Sequence, residues 1–293
     1  MKELDIGNSD FKSTIENDNY YVDKSLLIKE VIKAQKQVIL LPRPRRFGKT
    51  LNLSMLKYFF DINQPENEAL FKNLNIWQTE NEIKEKRGKY PVIYLSFKDA
   101  KGKSWDETYQ FIILEILKLY LKHDYLLDGD LLKQAEKQTF NDIINNKADS
   151  TNYADSLKRI SEYLYRYHHQ KTVILIDEYD TPIQAGYKKF YDDAISFMRN
   201  LMSGAFKDNE YLYKGVITGI LRISKESIFT GLNNVSVFSV LDDELSDKFG
   251  FTENEVNKSC KILMFQLNMS KLKSGTMVID LETLLIFIIH GQF

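Results

Sequence analysis

The chain has a single cysteine, Cys260, among 293 residues, which excludes an internal disulfide framework and a zinc site built from cysteines. Its charge is nearly balanced, with 40 Lys and Arg against 41 Asp and Glu. The overall charge therefore gives no reason to expect nucleic acid, and any such contact would need a local basic patch. The four histidines are scattered, apart from His168 and His169, which fit a helix end better than a metal site.

Long hydrophobic runs are also missing. No stretch approaches the roughly 20 apolar residues that a membrane-spanning helix needs, and the Met-Lys-Glu start is not followed by the apolar core of a signal peptide. We therefore expect a cytoplasmic protein with no membrane partner. The length and the 43% hydrophobic content suffice for one large α/β domain or two smaller ones.

Hydrophobic periodicity divides the chain into short strands and longer helices. The predicted strands are 37–41, 91–97, 172–176, 212–219 and 235–240. The predicted helices are 24–35, 49–61, 104–122, 130–145, 153–168 and 188–206. Short apolar strands joined by long helices imply crossover connections. We predict an α/β fold with a five-stranded, mostly parallel sheet flanked by helices, and a helical insert at about 102–170.

The segment between the first strand and the next helix carries a phosphate-binding pattern, Arg-Pro-Arg-Arg-Phe-Gly-Lys-Thr, over residues 43–50. In G-x-x-x-x-G-K-[ST] loops (Walker A), backbone N–H groups and a helix N-terminus face the phosphates. The pattern predicts that Lys49 reaches the β and γ oxygens, that Thr50 binds magnesium, and that Gly48 lets the backbone approach closely. Arg43 stands at the first-glycine position, which makes the motif weak by itself.

Seven residues of the loop and the first helical turn are predicted to contact the nucleotide: Arg45, Arg46, Phe47, Gly48, Lys49, Thr50 and Leu51. The arginines of this segment leave alternatives open, because they could contact nucleotide, a neighbouring subunit or a polynucleotide backbone. The simplest interpretation is that Arg43, Arg45 and Arg46 supply positive potential for ATP.

The third predicted strand ends in two carboxylates, Asp177 and Glu178, which resembles a Walker B motif. Parallel α/β proteins place ligand chemistry at the carboxyl ends of strands. We predict that Asp177 holds Mg²⁺ with Thr50, and that Glu178 acts as the general base toward the attacking water. A solvated acidic strand end is the alternative. The order of the two motifs favours an ATP site and the P-loop NTPase fold class.

The fourth strand is predicted to lie between the phosphate-loop strand and the acid strand, so that its end faces the γ-phosphate. Thr218 is then a candidate sensor of the attacking water, and Arg222 a candidate cationic sensor or finger. The alternatives are an ordinary strand residue for Thr218 and a surface residue at a helix start for Arg222.

Further segments complete a resemblance to the bacterial AAA-ATPase-like proteins, whose loop reads P-R-P-R-R-F-G-K-T. The matching segments are 20–24 (YYVDK), 43–50, 91–98, 175–181 (LIDEYDT), 197–200 (FMRN), 215–222 and 239–242. The resemblance covers about residues 4–257 and makes an arginine normal at the first-glycine position. It implies a domain that binds ATP and Mg²⁺ and hydrolyses ATP, usually followed by a nuclease-like domain of the PD-(D/E)xK type.

The chain departs from the family after residues 251–256 (FTENEV). Members continue with W-Y-D-G-Y and later I-Y-N-P-W-S, whereas here 274–279 read S-G-T-M-V-I and 286–293 read I-F-I-I-H-G-Q-F. Codons for the family motifs yield both runs when they are read one base out of phase. We expect an ATPase domain, 1–257, followed by a frameshifted, non-native tail, 258–293, in place of the nuclease-like domain.

The leading functional interpretation is a module that couples Mg-ATP binding and hydrolysis to conformational change, without nuclease activity. One alternative is an ATP-dependent regulatory or DNA-associated switch with little turnover. A further alternative is a degenerate pseudo-ATPase that acts only as an interaction scaffold, and another is an inactive, truncated product. Besides ATP, a homo-oligomer and nucleic acid bound through the missing C-terminal domain are left open as partners.

Overall fold

The structure, a computed structural model, describes residues 7–220, 228–229 and 232–261. Its regular elements, in chain order, are α1 (Phe11–Glu16), α2 (Leu26–Lys33), β1 (Val38–Pro42), α3 (Lys49–Phe60), α4 (Asn81–Lys84), β2 (Val92–Ser96), α5 (Trp105–Leu121), α6 (Gln134–Ile144), α7 (Ser150–His168), β3 (Thr172–Asp177), α8 (Thr181–Ala185), α9 (Tyr191–Phe206), β4 (Leu212–Gly219) and β5 (Val235–Val237). A last helical stretch covers residues 253–261. Over these ranges, no helix is long and apolar enough to cross a bilayer.

The five strands form one sheet in the order β2-β3-β4-β1-β5. Every pairing of these strands is parallel, so the predicted α/β, P-loop NTPase-like fold is confirmed. β4 lies between β1 and β3, as predicted, with Leu41 opposite Thr218. Because all strands run the same way, the residues that follow them meet at one edge of the sheet.

Alternate residues of each strand point to opposite hydrophobic layers. On β1, Val38 and Leu40 pack in one cluster with side chains of α5, α6, α7 and α9. The intervening Ile39 and Leu41 pack in the other cluster, with side chains of α1, α2 and α3. Burial on both faces explains why β1 and β3 read as continuous apolar runs. The helices within 102–170 thus cover one face of the sheet.

Several predicted elements differ from those observed at one end; the helix predicted at 130–145, for example, begins at Gln134, and the one predicted at 153–168 begins at Ser150. The fifth strand ends at Val237 rather than at 240, although the Phe238 N–H still donates to Leu40 O over 3.0 Å. The helix predicted at 188–206 begins at Tyr191 and is preceded by α8. Pro182 lies in the first turn of α8, where its missing N–H breaks no helical hydrogen bond.

Two histidines near the ends of α5 and α7 share one tyrosine hydroxyl. The buried His123 has its Nδ1 3.1 Å from Tyr125 Oη, which also lies 3.1 Å from His168 Nε2. Burial lowers the pKa of His123 to about 4, and Lys122 and His168 act in the same direction. The His123 ring is therefore neutral in the folded protein near pH 7.

We expect the free energy of unfolding to decrease as the pH falls from about 6.5 toward 4, because the unfolded chain takes up a proton at His123 before the folded chain does. The pKa difference corresponds to at most ~3 kcal/mol. His123→Gln does not titrate, so its stability should fall less over this interval. Urea unfolding of both proteins between neutral pH and pH 5 measures the difference. Parallel losses in the two proteins would contradict this expectation.

Candidate functional site

The 42–48 loop leaves β1 and enters α3 at the carboxyl edge of the sheet. Arg46 and Gly48 have positive φ angles of 65° and 72°, a region that glycine adopts without steric cost. A Cβ placed on Gly48 would meet no other atom within 4 Å, so this side of the loop is open. The first N–H groups of α3 have no partner within the helix. An open loop before a helix N-terminus is suited to bind an anion such as a phosphate.

Lys49 is held inside this loop. Its Nζ donates to Arg43 O over 3.1 Å and to Pro44 O over 2.9 Å, and only 6% of the residue is exposed. Burial lowers its pKa, against the opposing effect of the carboxylates of Glu178 and Asp177. Since an ammonium group has three donors and loop carbonyls take two of them in the described residues, a third can reach a phosphate oxygen.

The carboxylate of Asp177 joins two hydroxyls from other elements. Its Oδ2 accepts from Thr50 Oγ1 over 2.6 Å, and its Oδ1 accepts from Thr218 Oγ1 over 2.5 Å. Asp177 and Thr218 are buried, so the hydrogen bond between them is shielded from bulk water, whereas Thr50 is partly exposed. The oxygens of Thr50 and Asp177 are hard ligands of the kind that Mg²⁺ prefers, and these residues fit a magnesium site.

Glu178 leaves the strand in an unusual backbone conformation. Its φ is 51°, which costs a residue other than glycine on the order of 1 kcal/mol or more. The Glu178 side chain is half-buried, and its Oε2 accepts from Thr181 Oγ1 over 3.3 Å. The next residue is still bonded to the neighbouring strand β4, because the Tyr179 N–H donates to Thr218 O over 3.2 Å. Such strain is concentrated at functional sites in proteins.

Asp180 is a buried carboxylate that the sequence pattern did not single out. Its Oδ2 accepts from the Ile220 N–H over 3.0 Å and from Gln184 Nε2 over 2.6 Å, so it ties α8 to the end of β4. A Cβ on Gly219 would lie 2.6 Å from both Asp180 Oδ1 and Tyr179 Cε1. The close approach of Tyr179 and Asp180 to the end of β4 therefore requires glycine at position 219. Only the position of Asp180 within the family-matched segment 175–181 could have drawn attention to it.

The loop arginines differ in their surroundings. Arg43 is 1% exposed, and its guanidinium donates to Phe238 O over 2.5 Å and to Leu245 O over 3.3 Å. It also lies 5.0 Å from the centroid of the Phe249 ring. Arg43 is therefore a buried structural residue. The sequence had led us to expect that it supplies positive electrostatic potential for ATP. Arg45 and Arg46 are exposed at the tip of the loop.

The remaining predicted site residues fall on different elements. Leu51 lies in the first turn of α3, half-buried. Phe47 is half-buried, and its carbonyl oxygen accepts from the Gly250 N–H over 3.1 Å. Arg222 lies outside the described residues. The structure thus brings together the loop, Asp177, Glu178 and Thr218 at one edge of the sheet.

Sequence comparisons connect this geometry to a family. The model of an AAA-ATPase-like family, described as "Predicted AAA-ATPase", matches residues 5–229. The chain belongs to this family. The "Uncharacterized protein in vnfD 5′ region" of Azotobacter chroococcum mcd 1 is 28% identical over 262 residues, which are 87% of this chain and 44% of that protein. The chain therefore spans less than half of that relative's length. No solved structure matches the present chain.

The AAA-ATPase-like match includes the 42–48 loop, Asp177, Glu178 and Thr218, and it ends before β5. Family membership supports nucleotide binding in broad terms, usually with Mg²⁺. The residues from β5 to 261 lie beyond the matched range, although several of them contact the loop.

Thr218→Val should weaken Mg²⁺-dependent nucleotide binding about 10- to 100-fold, the usual cost of removing a group that orients a metal ligand. Valine keeps the buried shape but cannot donate to Asp177 Oδ1. Thr218→Ser restores the hydroxyl and should recover most of the binding. Titration of nucleotide binding with Mg²⁺ distinguishes weaker magnesium binding, which moves the midpoint to higher Mg²⁺, from a general loss of folding, which lowers binding at every Mg²⁺ concentration. Equal binding by the valine and serine variants would show that the hydroxyl is not needed.

Proposed function

We propose that this chain is a Mg²⁺-dependent ATPase that couples ATP binding and hydrolysis to conformational change. The observation that supports it most is the Asp177 carboxylate, held between Thr50 of α3 and Thr218 of β4. This arrangement lies at the edge of the sheet where the 42–48 loop enters α3. A phosphate loop with its lysine, followed by a hydroxyl and an aspartate that can hold Mg²⁺, is the set of parts that P-loop NTPases use for phosphoryl transfer.

Each group has a distinct task in this proposal. The N-terminus of α3 and Lys49 bind the phosphates, and Thr218 holds Asp177 in the orientation that its ligand role needs. Mg²⁺, when bound by Thr50 and Asp177, would neutralise charge on the phosphate oxygens. Glu178 accepts the proton of the attacking water.

The arginines around the site complete the proposal. The exposed Arg45 and Arg46 add positive electrostatic potential at the tip of the loop, where the phosphates would approach. Arg222 stays a candidate cationic finger that would stabilise charge on the transferred phosphoryl group.

Phosphate release from ATP tests the proposal directly. We expect turnover with ATP and Mg²⁺, and none when EDTA removes the metal. Substituting GTP for ATP examines base preference, for which the family assignment favours adenine. Tight ATP binding with no phosphate release would replace the enzyme proposal with the regulatory switch. No binding of either nucleotide would contradict both.

We also propose that the reading frame changes near residues 258–260, after an ATPase domain over 1–257. The helical stretch 253–261 crosses this boundary, and Cys260 is buried. The tail residues 262–293 lie outside the described residues. The nucleotide sequence of the gene tests the proposal, since the alternative frame must encode the missing W-Y-D-G-Y and I-Y-N-P-W-S motifs.

A further inference from the structure

Residues 238–259, here called the strap, run from the end of β5 past the 42–48 loop into the last helical stretch. The strap backbone is bonded to the candidate site at several points. Arg43 donates to the carbonyl oxygens of Phe238 and Leu245. Asn52 of α3 donates through Nδ2 to Lys248 O over 2.9 Å. The position of the strap therefore depends on the position of the loop and the first turn of α3.

The closest contact between the loop and the strap is at Phe47 and Gly250. The Gly250 N–H donates to Phe47 O, and a Cβ on Gly250 would lie 2.9 Å from the Phe47 ring. Gly250 also has a positive φ of 64°. Because the ring packs directly against the strap backbone, a shift of Phe47 must displace Gly250 or break this contact.

The far end of the strap is fastened to the N-terminal part of the chain. Lys24 is 6% exposed, and its Nζ donates to Asp247 O over 2.8 Å and to the two carboxylate oxygens of Glu255 over 2.7 and 2.6 Å. Nearby, the hydroxyls of Tyr20 and Ser259 lie 2.8 Å apart. These residues belong to the YYVDK and FTENEV segments or lie close to them. The ATPase proposal gives neither segment a role.

We infer that the strap responds to nucleotide bound at the 42–48 loop, and that the Lys24–Glu255 ion pair sets the strength of this coupling. The inference rests on the proposed nucleotide binding. Phosphates on the loop fix Lys49 and the loop backbone, which fixes Arg43 and Phe47 and so holds the strap more firmly. Coupling between two sites is reciprocal. Loosening the strap therefore weakens nucleotide binding.

Hydrogen exchange on the full chain, with and without Mg-ATP, tests the inference. In the wild-type protein we expect the amides of 238–259 to exchange at least ~5-fold more slowly with nucleotide bound. Glu255→Gln removes the charge that pairs with Lys24, and it should lose this protection and bind a fluorescent ATP analogue at least ~5-fold more weakly. Glu80→Gln makes the same chemical change at an exposed ion pair with Lys29 and Lys33, and it should behave as wild type.

The outcomes separate this inference from the proposed function. If the analogue binds the wild-type protein but the strap shows no protection, and Glu255→Gln binds normally, the coupling does not exist while the ATPase proposal stands. If the wild-type protein binds no nucleotide, both fail. If Glu255→Gln does not fold, Asn52→Ala takes its place, since it removes only the hydrogen bond to Lys248 O. The same two measurements then apply, hydrogen exchange of the strap and binding of the ATP analogue.

Discussion

Mg-ATP at about 100 times its dissociation constant is expected to stabilise the wild-type protein by ~2.7 kcal/mol and to leave Lys49→Met unaffected. For a chain of this size, the unfolding midpoint should rise by several degrees. Methionine keeps the buried stem of Lys49 but removes the ammonium group that donates to the loop carbonyls and would reach the phosphates. Differential scanning fluorimetry of both proteins, with and without Mg-ATP, gives the result directly.

Lys214→Met is a matched control for this comparison. Lys214 is also buried and donates through Nζ to a backbone carbonyl, Ala34 O, over 2.6 Å, and burial likewise lowers its pKa. It lies near the start of β4, so it is at the amino ends of the strands, whereas the loop is at their carboxyl ends. Lys214→Met should be less stable than wild type and still respond fully to Mg-ATP. A normal response in Lys49→Met would show that the nucleotide binds elsewhere.

Glu178→Gln is expected to reduce the turnover number by about 10²- to 10⁴-fold, the range that general acid–base catalysis contributes. The amide has nearly the same shape as the carboxylate, and it can still accept the hydrogen bond from Thr181. It cannot take a proton from water at neutral pH. ATP affinity should therefore stay close to that of wild type. Phosphate release under single-turnover conditions, together with the thermal shift, measures the two effects separately.

Glu82→Gln provides the corresponding control, because Glu82 is an exposed glutamate on α4. It should keep wild-type turnover. If Glu178→Gln hydrolyses ATP at the wild-type rate, another group activates the water. If it fails to bind ATP, Glu178 contributes to binding rather than to proton transfer.

The sheet could be predicted, and the residues of the candidate site could be proposed, because their signals are local. Continuous apolar runs identify buried parallel strands. The Gly-Lys-Thr triplet follows one such strand, and the Asp-Glu pair stands at the end of another. The short elements between α3 and β2 had no prediction, since a single helical turn such as α4 is too brief to show periodicity.

The contacts that were missed join residues far apart in sequence. Arg43 finds its carbonyl partners at Phe238 and Leu245, and Lys24 pairs with Glu255. A motif shows that an arginine follows a strand, but not whether its guanidinium turns toward solvent, a ligand or a distant carbonyl. Thr218 is similar, because the direction of its hydroxyl depends on how β3 and β4 align.

The strand order also has a consequence for how the chain is made. β1 is synthesised before both of its neighbours in the sheet, β4 and β5. At 5–20 residues per second, β1 waits roughly 10–35 s for its first partner. During that time its unpaired backbone N–H and C=O groups and its apolar side chains are open to other chains. Expression at lower temperature or with added chaperones should raise the soluble yield, and a fragment that ends before β4 should aggregate.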